Sequence, residues 1–143
     1  MGLGGYLTWT ATAREIRKKY GMQIKLLPVE QHGSFFKYIQ SEIFENNDDF
    51  CNNLSLENNN LLFPLILNNP QANYCKKDTP EKAHHRFDKH IIAQQSELYG
   101  IEKPELKCKL SLSGNDMFIV RDFINNKIKS ENFITIEPHS KTN

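Results

Sequence analysis

The sequence predicts an α/β domain with a mostly parallel sheet flanked by helices, and three observations carry that prediction. A glycine-dense start, Met1 to Gly5, runs into a helical apolar pattern over residues 7–20. A short apolar run with Ile24, Leu26 and Leu27 follows at once. Helical and extended patterns then keep alternating along the chain, the order expected where parallel strands are joined by crossover helices. The 143 residues fit one domain, since length divided by roughly 150 serves as a domain count.

Each element has its own justification. Leu7, Ala11, Ala13, Ile16 and Tyr20 fall at helical spacings, and the basic charges collect at the C-terminal end, where they complement the dipole. Gly21 stands where a C-cap belongs. Residues 22–29 suit a buried strand. Ser34 is read as the cap of a second helix carrying Phe35, Phe36, Ile39, Ile43 and Phe44. The Asn-rich stretches 46–49 and 52–60 read as turns or a loop. Leu61 to Leu67 is apolar enough for a strand, with Pro64 arguing for a bulge, an edge or an extended segment outside the sheet. Asp78, Pro80 and Glu81 form a helix-start signature, cap, first-turn proline and capping-box acceptor, for a helix reaching Tyr99 and stopping at Gly100. Leu106, Cys108, Leu110 and Leu112 alternate as an extended segment. Asn115 or Asp116 caps a helix bearing Met117, Phe118, Val120, Phe123, Ile124 and Ile128. Residues 132–138 form a short β-branched strand, and the polar loop after it is where α/β proteins place ligand chemistry. The glycine-rich start follows no strand, which is the first sign of a fragment.

Composition narrows the function classes. Eighteen basic and 17 acidic residues give a net charge of +1, so no global basic excess supplies the phosphate-neutralising attraction of a nucleic-acid binder. The apolar share of 38% is below the roughly 45–50% usual for globular domains. Cys51, Cys75 and Cys108 are an odd number at wide spacings and read as thiols in a reducing cytoplasm. No apolar run approaches the ~20 residues that cross a bilayer, and the start lacks a signal-peptide pattern. The expectation is a cytoplasmic protein with peripheral membrane contact at most.

Gly2, Gly4 and Gly5 invite a dinucleotide fingerprint, but Leu7 occupies the third glycine position and no Walker lysine follows. What survives is a glycine-lined helix start at which a ligand can approach backbone N–H groups, or equally a tight turn. His84, His85, Asp88 and His90 have helical spacings but no H-E-x-x-H pattern, and a polar helix face is favoured over a metal site. Trp9 either lines a cleft or belongs to the core. Ser140 and Lys141 after the last strand could hold phosphate oxygens by hydrogen bond and by charge, or form a solvated tail.

Residues 1–20 resemble the glycine turn and first helix of glycosyltransferase family 9, the ADP-heptose:lipopolysaccharide heptosyltransferases and their relatives. Phe133-Ile-Thr-Ile-Glu-Pro-His-Ser-Lys141 is similar to the strand and loop that open the second domain of that family. The resemblance implies the N-terminal half of a GT-B enzyme: a Rossmann-like acceptor domain at 1–130, its first strand missing, and the start of the nucleotide-sugar domain at 131–143. It implies an inverting, metal-independent transfer of heptose or a similar sugar from a nucleotide-sugar, such as an ADP-sugar, to a lipopolysaccharide or surface-glycan acceptor, at the inner face of a bacterial inner membrane. No cofactor is implied, and this chain alone would be inactive. Gly4, Gly5 and Thr8 would border the acceptor cleft; Ser140 and Lys141 would approach the donor phosphate. Relatives carry an aspartate, the usual candidate base, where Gly5 stands here, so no catalytic base carries over. The rival reading is a non-catalytic α/β binding or interaction module.

Overall fold

The computed structural model describes residues 3–51, 61–72 and 89–129 in full, and the backbone alone of 75–79 and 82–85. The chain divides into two compact units, Met1–Ser111 and Leu112–Asn143. The first unit is an α/β arrangement around a small mixed sheet.

Helix α1, Leu3–Tyr20, starts four residues earlier than its apolar periodicity suggests. Gly4 and Gly5 therefore lie in its first turn and not in a turn ahead of it. First-turn N–H groups make no intrahelical bonds in any case, which makes this the least demanding place in a helix for glycine. The helix ends at Gly21, whose φ of +122° suits glycine and whose N–H donates to Arg17 O at 3.0 Å.

Strand β1, Ile24–His32, is the middle strand. It pairs in parallel with β3, Leu61–Ile66, and antiparallel with β2, Phe35–Tyr38. The N-terminal half of its β2 side also bridges to Phe50, with Leu26 N–H donating to Asp49 O and Cys51 N–H to Leu26 O, both at 3.0 Å. Pro64, opposite Leu27, sits on the edge strand of the described sheet, the position that tolerates a residue with no N–H to give.

Two expected helices are strands instead. The segment after Ser34 is β2, because Gly33 and Ser34 form a two-residue hairpin loop with Gly33 at φ +62°. Ile39 and Phe44 do reach the core, from the irregular chain beyond β2. Residues 75–85 contain the hairpin of β4, Cys75–Thr79, and β5, Lys82–His85. Asp78 thus lies in a strand and caps no helix. A proline with φ near −65° suits a turn as well as a first helical turn, so the signature is ambiguous.

The helix that remains there is short: α2, Ile91–Glu97, capped by His90, whose Nδ1 accepts from Ile92 N–H at 3.2 Å. The chain does turn at Gly100, at φ +66°. The alternating segment 106–112 forms no strand, and Leu106, Leu110 and Leu112 are exposed.

Trp9, Ala13 and Ile16 of α1 pack against Leu26, Leu65, Leu67, Phe44, Phe50 and Ala72 to form the core. Phe44 bridges two rings, Tyr6 at 5.5 Å and Phe50 at 4.5 Å. Arg17 and Asp49, both buried, lock the C-terminal half of α1 to the turn before Phe50 through a 2.6 Å ion pair. The same guanidinium donates to Asp48 O at 2.9 Å and Met22 O at 2.5 Å. Among the described residues neither Cys51 nor Cys108 is in a disulfide, and no helix is long and apolar enough to cross a membrane.

The second unit contains α3, Gly114–Phe123, continued by a π-helical turn over Ile124–Ile128. Its cap is Ser113, and Asp116 completes a capping box as the third helical residue, in place of the expected cap at 115 or 116. The expected strand at 132–138, with Ser140 and Lys141, lies outside the described residues.

Candidate functional site

A cleft of about 620 Å³ opens where the N-terminal turns of α1 meet the carboxyl ends of the parallel strands β1 and β3. Ligands of open α/β sheets bind beyond the carboxyl strand ends for a simple reason: the chain leaves the sheet there and its side chains and backbone groups converge without filling the space.

The α1 wall supplies Gly4, Gly5, Thr8 and Trp9. A Cβ placed on Gly4 would meet nothing within 4 Å, so glycine there leaves the wall open and its backbone reachable. Thr8 donates to Gly5 O at 2.8 Å and accepts from Gln95 Nε2 at 2.9 Å, while Gln95 Oε1 accepts from Thr12 at 3.3 Å. This chain of bonds fixes the Thr8 hydroxyl between α1 and α2. Trp9 is fully buried, and its indole N–H has no partner among the described residues. It is therefore both a core residue and part of the cleft wall, the two readings that the sequence left open.

The opposite wall is the turn after β3, Leu67 to Pro70. The Asn68 amide copies a backbone pairing: Oδ1 accepts from Gln31 N–H and Nδ2 donates to Gln31 O, each at 2.9 Å. The parallel ladder is thereby extended one step beyond the end of β3. Asn69 Oδ1 accepts from Gln71 N–H at 3.0 Å, which holds the turn and leaves its amide nitrogen available. A smaller cleft of about 340 Å³ lies along the same turn, beside Gln31 and Gly33.

The floor carries Glu30, the one charged side chain among the described lining residues. Side chains alternate along a strand, so Glu30 continues the row Ile24, Leu26, Pro28 that faces the core. The core-facing row turns polar just past the end of the β3 pairing, where β1 is still paired with β2 and Glu30 stands opposite Lys37.

The chain matches no protein family, no curated protein and no solved structure.

The structure gathers Gly4, Gly5 and Thr8, the three residues expected to border an acceptor cleft, into one wall of this cleft. Sequence reading missed Glu30, Asn69 and Gln95. A charge in the core-facing register of β1 was the available signal for Glu30, and the polar pair before Pro70 was the signal for the turn. His84 and His85 lie on β5, so helical spacing does not relate them; their side chains, with Asp88, lie outside the described residues.

Proposed function

We propose that the cleft binds a hydroxyl-rich group, the sugar of a glycan or glycolipid acceptor, and that the chain is the acceptor-side, Rossmann-like part of a GT-B glycosyltransferase of the heptosyltransferase type. The observation that carries the reading is the meeting of Gly4, Gly5 and Thr8 with Asn69, Gln95 and Glu30 around one cleft at the carboxyl ends of two parallel strands. Hydroxyl, amide and carboxylate groups, with backbone N–H of a helix start, complement the mixed donors and acceptors of a sugar. The nucleotide-sugar donor would be held elsewhere, with Ser140 and Lys141 approaching its phosphates, and the enzyme would work at the inner face of a membrane without spanning it. Transfer would be direct displacement at the anomeric carbon: a base takes the proton of the acceptor hydroxyl, whose oxygen forms the new bond as the nucleotide diphosphate leaves with its electron pair.

A second reading, a binding module without catalysis, is favoured by the absence of a carboxylate at Gly5. Trp9, the single tryptophan of the chain, lines the cleft and reports on both. Titration with core-type oligosaccharides should change its fluorescence saturably, and a nucleotide alone should not. A flat response to every glycan refutes the sugar site. Release of nucleotide diphosphate from an ADP-sugar by the protein with acceptor separates the transferase from the module.

A further inference from the structure

The Glu30 side chain is only 19% exposed, yet among the described residues its one basic neighbour within 4 Å is His32, with Nε2 at 3.5 Å; the exposed Lys37 stands opposite it on β2 without forming an ion pair. His32 itself is about half exposed, and it is charged only when protonated. No lysine or arginine is among the described residues of the cleft wall. A ligand entering the cleft strips water from this carboxylate. A neutral ligand would leave the negative charge covered and uncompensated, which is costly in a partly dry site. An ammonium group offers three donors and the opposite charge together.

We propose that Glu30 makes the cleft selective for an amino-bearing, hydroxyl-rich ligand, an amino sugar in its ammonium form. The selection of sugars rests on the function proposed above; the selection of an amine rests on Glu30 alone. The hydroxyls meet Thr8, Asn69 and the Gly4 and Gly5 backbone, and the amine meets Glu30. Trp9, whose buried indole N–H has no partner among the described residues, lines the same cleft.

The test uses the full chain, isothermal calorimetry and Trp9 fluorescence. The probes are glucosamine, glucose, N-acetylglucosamine and ethanolamine, at a pH where the amines are protonated. Glucosamine should bind about tenfold more tightly than the two neutral sugars, the ratio that one charge-assisted bond supplies. Glu30→Gln should bring glucosamine down to the level of glucose, and Glu30→Asp, which keeps the charge, should retain part of the preference; thermal unfolding of each variant checks that it is folded. Equal binding of all three sugars by the wild type overturns the role of Glu30 and leaves the sugar site standing, as does a preference that survives in Glu30→Gln. Glu30-dependent binding of ethanolamine with no binding of any sugar supports the carboxylate and overturns the sugar site. No binding of any probe overturns both.

Discussion

Replacing Asp49 by alanine removes the buried anion that ties α1 to the centre of the sheet. Its Oδ1 accepts from Arg17 Nη1 at 2.6 Å, and its Oδ2 lies 3.5 Å from Lys109 Nζ. Breaking a buried pair from one side costs about 3–5 kcal/mol, because the charge left behind has lost its counterion. The Arg17 guanidinium keeps the carbonyls of Asp48 and Met22, which moderates the loss and sets the expectation near the lower end, about 3 kcal/mol. With a urea slope of about 1.5 kcal/mol/M, that is a midpoint lower by about 2 M. Beside the single variants Asp49→Ala and Arg17→Leu, the double variant Arg17→Leu/Asp49→Ala removes both charges together, and its loss should fall short of the sum of the two single losses by about 2 kcal/mol. Equilibrium urea unfolding followed by far-UV circular dichroism measures all three. A midpoint shift below about 0.5 M for Asp49→Ala, or strictly additive losses, would refute the claim that this pair holds α1 to the turn before Phe50.

Two further outcomes are expected. Burial works to raise the Glu15 carboxyl, but hydrogen bonds from Lys18 and Arg14 outweigh it and hold the group below its ordinary value. A depressed carboxyl adds stability that is complete above its unfolded pKa of roughly 4.3 and is lost as pH falls through the lower folded value. Glu15→Gln should therefore flatten the fall in thermal midpoint below about pH 4, and an unchanged profile would count against the network. Gly33→Ala meets no atom within 4 Å, so its cost is the left-handed backbone alone, about 1 kcal/mol, read from the urea midpoint; a stabilised variant would show that the loop does not need φ of +62°.

How much was legible depended on whether a residue's partners lie near it in sequence. The first helix was visible because Leu7, Ala11, Ala13 and Ile16 repeat within it, and the Ile24–Leu27 run was visible because buried parallel strands are nearly continuous in apolar residues. The β2 hairpin was misread because Phe35, Phe36, Ile39, Ile43 and Phe44 match a helical spacing by coincidence: Phe35 and Phe36 are exposed, and Ile39 and Phe44 reach the core beyond the strand. Only the Gly33-Ser34 pair carried the hairpin signal. The 75–85 hairpin was misread because Asp-x-Pro-x serves two conformations equally well.

The cleft shows the same division of information. Gly4, Gly5 and Thr8 were found because a glycine-lined helix start has a local signature. Glu30 could be placed only by knowing which face of β1 meets α1, and that face is set by the parallel register in which Leu26 lies beside Phe63 and Pro28 beside Leu65. Once the register is known, the carboxylate is the anomaly of its row. Three residues of one row are given to the core, and the fourth, at the end of the parallel pair, carries a charge that stands opposite Lys37 on β2 but makes no ion pair with a lysine or arginine among the described residues. Such a group adds nothing to the apolar core beneath it, and the ammonium ligand proposed above would give it the close cationic partner that Lys37 does not.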